Sequence, residues 1–232
     1  AEILDDEVRD TLCPEKIRTE QWFHVMESAH SLGMNTTSTI MYGHIETPTH
    51  WARHLLRLRE LQVKTGGFTE FVPLPFVPEE APLYLKGQSR KGPTFREAVL
   101  MHAVARLVLH GQIHNIQASW VKMGEQGVAA CLNSGANDLG GTLMNETITR
   151  SAGAQHGQEM PPLHMDAMIR RLARSPQQRK TCYGEAPQGQ VQASYHAAEL
   201  TETINNPPGK IKSKGVLNRP GLDDSDILVS VK

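Results

Sequence analysis

The sequence predicts an α/β protein of parallel-strand type, the size of half an eight-fold (βα) barrel. Three observations carry this. Apolar or β-branched runs alternate with amphipathic helices about four times, with no hairpin turn between them. That order implies a parallel sheet with right-handed crossovers. The run Thr36-Thr-Ser-Thr-Ile-Met-Tyr42 then puts polar residues on both parities of one strand. A strand covered on both faces should be nearly continuous Val, Ile and Leu, so this polarity points to a barrel interior that holds a polar ligand, with an exposed edge strand as the alternative. Finally, Gly135-Ala-Asn-Asp-Leu-Gly-Gly-Thr-Leu-Met-Asn-Glu146 ends a strand in glycines and enters a helix. Free N–H groups at such a turn suit an anionic or carboxylate-bearing small molecule; a plain strand-to-helix turn has the same residues.

Along the chain, Ile3-Leu4 reads as the end of a strand and Cys13-Pro14 as a break. The spacing predicts a helix from an N-cap at Thr19 to a stop at Gly33, then a strand over 34–42. Gly43-His-Ile-Glu-Thr-Pro48 follows that strand at its C-terminal end, where a βα barrel places its site. His44 and Glu46 are therefore candidates for proton transfer. A helix follows over about 49–64. His50 and His54 are four apart on it, a metal-ligand spacing without a third ligand.

Phe68–Val77 reads as a strand, 78–93 as a long loop and 93–109 as a helix. The apolar positions of that helix nearly encircle it, which predicts deep burial, with His102 and Arg106 as satisfied helix-face residues. Ile113–Gly124 reads as a third strand and turn. Asn115, Gln117 and Ser119 share one parity there, and Trp120 and Lys122 the other. A row of amides and hydroxyls facing a lumen would recognise a heterocycle or an amino acid. A short helix over 125–134 leads to the glycine-rich turn, where Thr142 is the expected N-cap of a helix over 143–152, with Asn145 and Glu146 in its first turn. A basic amphipathic helix covers 163–174. Residues 187–232 are rich in Gln and Ser and interrupted by Pro207-Pro208-Gly209; they read as a disordered tail with a short helix near 193–204.

Composition narrows the class. The chain has 232 residues with a net charge of −1, so no global field favours nucleic acid or an anionic membrane. No apolar run approaches bilayer length. Three dispersed cysteines, Cys13, Cys131 and Cys182, do not make a disulfide framework and fit a cytoplasmic protein. The first residue is Ala1 and the opening Ala-Glu-Ile-Leu starts as if in mid-strand, so the chain reads as a fragment.

Cys13-Pro-Glu-Lys, Thr36–Thr47, Gly66-Gly-Phe-Thr-Glu-Phe-Val-Pro-Leu-Pro-Phe76, Asn115-Ile-Gln-Ala-Ser-Trp-Val-Lys-Met-Gly124 and Gly135–Glu146, taken together, closely resemble the CofH-type radical-SAM half of FO synthase. The resemblance covers roughly 1–186. It implies the fold class α/β, the C-terminal half of a radical-SAM (βα) TIM-type barrel, followed by the tail from 187. It implies transfer of the tyrosine side-chain fragment to 5-amino-6-(D-ribitylamino)uracil, on the way to the deazaflavin FO. L-tyrosine and that aminouracil would be the substrates, a CofG-type half the functional partner, and a 4Fe–4S cluster with S-adenosylmethionine the cofactors. Such proteins ligate their cluster through Cys-x-x-x-Cys-x-x-Cys, which is absent from this sequence. The chain alone is therefore expected to be inactive and to need the missing N-terminal barrel half.

Residues carried onto this chain are Glu2, His44 and Glu46 at strand ends, Gln117, Ser119 and Trp120 at the lumen, and Asn137, Asp138 and Thr142 in the turn. Asn137 and Asp138 would bind the amino-acid group of tyrosine or the uracil edge, and His44 or Glu46 would handle protons. Two alternatives stand beside this reading: a radical-SAM relative from menaquinone biosynthesis, and a non-catalytic barrel remnant.

Overall fold

The computed structural model describes residues 2–143, 146–154, 156–157 and 159–198. Among these the order is α1 Asp6–Leu12, α2 Thr19–Ser31, β1 Thr36–Tyr42, α3 Pro48–Thr65, β2 Phe68–Pro75, α4 Pro82–Leu85, α5 Phe95–Val108, α6 Trp120–Asn133, α7 Ile148–Ser151, α8 Pro162–Arg171 and α9 Gln188–Tyr195. The α/β class and the parallel order of the sequence reading are present. β1 and β2 pair in parallel, with Thr37 beside Glu70 and Tyr42 beside Pro75. They are joined by α3, which starts with Pro48 after Thr47 and stops at Gly66 in the left-handed region.

The expected third and fourth strands are each reduced to a single parallel bridge, Phe71 with Ile116 and Gln117 with Asp138. Side chains explain why the ladder is short. The Asn115 amide donates to the Thr69 carbonyl at 2.8 Å. The Ile116 N–H donates to the Asn137 side-chain oxygen, also at 2.8 Å. Asparagines here take partners that a ladder would give to backbone groups. At the other edge, the Met41 N–H donates to the Glu2 carbonyl at 2.7 Å. The regular sheet among the described residues thus has two strands rather than four.

Alternation sorts β1 into two faces. Ser38, Ile40 and Tyr42 are fully buried and pack toward the helices, in a core shared with Leu55, Leu58, Phe71 and Met101. Thr37, Thr39 and Met41 point the other way. The buried Ser38 hydroxyl is satisfied by the Glu70 carbonyl at 2.7 Å. A second core joins α6 to α8 through Val128, Cys131, Leu139 and Met168.

Four further expectations are corrected. The helix over 93–109 was read as buried all round, yet Phe95, Leu100 and Leu107 of α5 are 61%, 44% and 77% exposed. The sheet covers only the face that carries Ala98, Met101 and Ala105. Residues 119–124 are not strand: α6 opens at Trp120, and Gly124 (φ 62, ψ 178) breaks it after one turn. Among the described residues no helix starts at Thr142. Leu143 has φ 51, and the next helix is α7, whose Thr149 N–H is capped by the Glu146 carboxylate at 3.0 Å; Asn145 lies outside the described residues. Toward the C-terminus, a helix occupies Gln188–Tyr195, earlier than the expected 193–204. The remainder of that expectation, from 199, lies outside the described residues.

Two glycines make a local test. Gly66 has φ +66 with open space around it, whereas a Cβ on Gly43 (φ +97) would lie 2.2 Å from the Pro93 ring. Gly66→Ala should cost about 1 kcal/mol, from backbone conformation alone. Gly43→Ala should cost clearly more, because the loop at 90–93 must also move. Urea unfolding of both variants checks the order.

Candidate active site

The face of the sheet turned away from the helices carries a polar row, Thr37, Glu70, Gln117 and Asp138, one residue from each neighbouring extended segment. Its charges are closed by Arg179. The guanidinium pairs with Asp138 through Nε, and through Nη2 at 2.9 Å, and lies 3.5 Å from Glu70. Glu70 also accepts from the Tyr183 hydroxyl at 2.7 Å and from Thr37 at 3.0 Å. The Tyr183 ring stacks under Arg179, with 4.1 Å from guanidinium carbon to ring centre. Burial works against the Arg179 charge, but the Asp138 bond and charge outweigh it and raise its pKa. Burial, and then the bond to Glu70, push the Tyr183 phenol well above its ordinary range. A cleft of about 790 Å³ lies beside this cluster, lined by Asp138, Gly141, Thr142, Asp166, Arg179 and Tyr183 among others.

The fold brings the sequence-predicted Gln117 and Asp138 together with Glu70, Arg179 and Tyr183, which the sequence reading did not single out. Glu70 was legible as a charged residue within a strand. Arg179 and Tyr183 lie in a stretch without periodicity, and only the fold brings them here. Arg179→Met would leave two carboxylates facing a half-buried site without their cation. It should cost about 2 kcal/mol, read as a lower urea midpoint.

The glycine-rich turn is held by the protein itself. Asp138 Oδ1 takes the Gly140 N–H at 2.6 Å. Asn137 Oδ1 takes Arg106 Nη2 at 2.8 Å as well as the Ile116 N–H. Arg106 also donates to the Gly135 and His114 carbonyls, so it is a satisfied helix-face residue. A Cβ on Gly140 would lie 2.4 Å from Gln117 Nε2: the glycine makes room for a side chain of the chain itself. The buried Trp120 indole donates to the Gly141 carbonyl at 3.0 Å. Ser119 is buried just before α6, and its carbonyl accepts from Met123 at 3.0 Å. Thr142 lines the cleft, and its carbonyl takes the Met160 N–H at 3.0 Å.

His44 and Glu46 form a second, separate constellation. Both side chains are fully enclosed, with Nδ1 of His44 2.8 Å from Glu46 Oε2. The other ring nitrogen lies 2.9 Å from the Met41 carbonyl. Glu46 accepts from the N–H of Gly43 and of His44, and from the Trp51 indole at 2.8 Å. Burial alone would raise its pKa, but these partners, His44 first, bring it down to about 2. The pair thus fixes the turn between β1 and α3 from inside. Glu2 lies at the opposite sheet edge, paired with Lys16 and 3.8 Å from Arg9.

His50 and His54 do not combine. His54 Nδ1 accepts the Leu4 N–H at 2.9 Å inside the core. His50 Nδ1 accepts the Thr47 N–H at 3.0 Å. The cysteines do not fit an iron–sulfur cluster. Cys13 and Cys131 are buried and Cys182 is exposed. Burial raises the pKa of the Cys13 thiol and carries that of Cys131 to about 12, which opposes the thiolates a cluster requires.

A family model described as the CofH/MqnC C-terminal region matches residues 65–191. A protein of Methanocaldococcus jannaschii named 5-amino-6-(D-ribitylamino)uracil--L-tyrosine 4-hydroxyphenyl transferase is 50% identical over 183 residues, 79% of this chain and 51% of that protein. The FO synthase of Mycobacterium leprae is 51% identical over 183 residues, 79% of this chain and 21% of its own length. The FO synthase of Streptomyces avermitilis is 50% identical over 209 residues, 88% of this chain and 24% of its own length. The chain therefore spans about half of the first of these relatives and about a quarter or less of the other two. The match takes in β2, the polar row from Glu70 onward, the glycine-rich turn and Arg179, and by it the chain belongs to the CofH/MqnC C-terminal family.

Proposed function

We propose that this chain is the C-terminal, substrate-holding part of a CofH-type transferase, which moves the tyrosine side-chain fragment to 5-amino-6-(D-ribitylamino)uracil. The observation that carries the reading is the polar row Thr37, Glu70, Gln117 and Asp138, on one face of a parallel sheet, in a chain about 50% identical to a protein of that name. An aminouracil presents alternating donors and acceptors at its edge. Gln117 offers both, and the carboxylates offer acceptors. The chain occupies the place of half a (βα) barrel in this reading, with the row facing the lumen.

The role of the chain's own residues is binding and orientation. Gln117 meets the uracil edge, while Asp138 and Asn137 keep the turn at 137–142 rigid through their bonds to Gly140 and Ile116. His44 and Glu46 hold the loop after β1. The radical chemistry of the family needs a 4Fe–4S cluster and S-adenosylmethionine, and the three cysteines here do not fit that cluster. Cluster ligands come in this reading from sequence outside the chain, and a CofG-type half uses the product. The FO synthase and transferase names of the relatives favour this reading over a menaquinone-pathway one.

Anaerobic reconstitution of the chain with iron and sulfide tests the division of labour. Visible absorbance should stay at the level of bound scatter, with no stoichiometric cluster. A stoichiometric cluster that cleaves S-adenosylmethionine would overturn it. The transfer itself is tested in a hybrid with the jannaschii relative, as set out below.

A further inference from the structure

A second cleft, of about 370 Å³, lies where β2 ends, lined by Phe76, Lys91, Phe95, Lys122, Met123 and His156 among others. The sequence reading gave none of these residues a function. Ligands of open α/β sheets bind beyond the carboxyl ends of the strands, and this cleft is there. Local structure positions its one half-buried cation. The segment 115–118 runs directly into α6, so Lys122 falls in the first helical turn, and the break at Gly124 sets that turn apart from the rest. The His156 ring packs over Gly124, where a Cβ would be 2.6 Å away.

Lys122 differs from the other charged residues near the sheet. Asp138, Glu70 and Arg179 satisfy one another. The Lys122 N–H donates to the Ser119 carbonyl at 3.2 Å, but among the described residues its ammonium has neither an ion pair nor a hydrogen bond. Burial presses its pKa below the ordinary lysine range, and the field of Glu146 opposes this only in part; both oxygens of Glu146 are engaged by the Thr149 N–H. The exposed carboxylate on the rim, Glu79, lays its methylenes on Gly153. A desolvated ammonium without a partner favours an incoming anion. The N-terminus of the 14-residue α5 also lies at the cleft, but its own Glu97 carboxylate caps it, so the anion contact falls to Lys122. The walls set Phe76, Phe95 and Met123 beside polar groups, and the Phe95 ring is 61% exposed. The size suits a small ligand.

We propose that this cleft binds an aromatic carboxylate, with Lys122 holding the carboxylate group and Phe76 and Phe95 flanking the ring. The identity of that ligand as the amino-acid substrate rests on the transferase reading; its chemistry rests on the cleft alone. The carboxylate contact is thereby assigned to Lys122, since Asn137 and Asp138 are already engaged.

Calorimetric titration of the full chain tests the proposal, using L-tyrosine, 3-(4-hydroxyphenyl)propanoate and tyramine. The first two should bind and tyramine, which lacks the carboxylate, should bind at least about tenfold more weakly. Lys122→Met should weaken L-tyrosine binding by a similar factor, Lys122→Arg should retain it within a few-fold, and neither should shift the melting temperature. Equal binding of L-tyrosine by wild type and Lys122→Met, equal binding of tyramine, or no binding of L-tyrosine to the wild type would overturn it. Those results leave the transferase reading standing with its carboxylate contact elsewhere. Failure of the hybrid enzyme with L-tyrosine binding intact would instead remove the transferase reading and leave this site.

Discussion

Glu46→Gln should destabilise the chain by roughly 2–3 kcal/mol, the cost of leaving a buried hydrogen-bond donor without its acceptor. The Glu46 carboxylate has no exposed side-chain surface and faces His44 Nδ1 at 2.8 Å. It also accepts the N–H groups of Gly43 and His44 and the Trp51 indole. A carboxamide has one acceptor oxygen, so its NH2 must turn toward one of these donors. The site would then hold a donor against a donor, and the His44 ring would lose its anionic partner. Urea unfolding at pH 7 reads the loss. The same pair dictates an acid limit. The Glu46 carboxyl titrates at about 2 in the fold against an ordinary 4.5. Its contribution is fully present above 4.5 and disappears as pH falls toward 2, an effect on the order of 3 kcal/mol.

His54 should make stability fall at milder acidity. Its ring is completely buried, and burial is the main cause that lowers its pKa from 6.5 to about 3. The unfolded chain therefore takes up a proton at His54 well before the folded chain does. Stability held at pH 7 should decline below 6.5, by about 1.4 kcal/mol for each pH unit down to 3. Between pH 6.5 and pH 4 this residue should account for about 3 kcal/mol. His54→Gln keeps an acceptor for the Leu4 N–H and cannot titrate. Comparing urea midpoints of the two proteins at pH 7 and pH 4 isolates the effect: the variant should show a clearly flatter pH dependence. Equal slopes would mean that the ring is solvated.

The parts of this fold that local chemistry dictates were legible in the sequence. Pro48 and Gly66 bracket α3, the β-branched run is β1, and the alternation of Asn115 and Gln117 marks the polar face. Other parts depend on the partners that tertiary packing supplies. Thr142 has every property of a helix cap, but its turn runs into Leu143 at φ 51, and the cap for the next helix falls to Glu146. The exposed side of α5 was illegible because hydrophobicity names apolar residues without saying how many sides the sheet covers. The site was half legible for the same reason. Gln117 and Asp138 lie in recognisable segments, whereas Arg179 is 41 residues beyond Asp138 in sequence, in a stretch without periodicity. His44 and Glu46 were read as proton-handling groups at a strand end; the fold turns both inward, where they stabilise the loop.

The central claim is that this chain supplies the substrate-holding part of a CofH-type transferase. It is tested most directly by replacing the matching 183 residues of the Methanocaldococcus jannaschii relative with those of this chain. The reconstituted hybrid is then supplied with S-adenosylmethionine, L-tyrosine and 5-amino-6-(D-ribitylamino)uracil. Mass spectrometry should find the aminouracil carrying the hydroxybenzyl fragment of tyrosine, and Gln117→Ala in the hybrid should lower its yield at least about tenfold, the cost of leaving a buried uracil edge unpaired. A hybrid that binds its cluster and cleaves S-adenosylmethionine but forms no adduct would contradict the account.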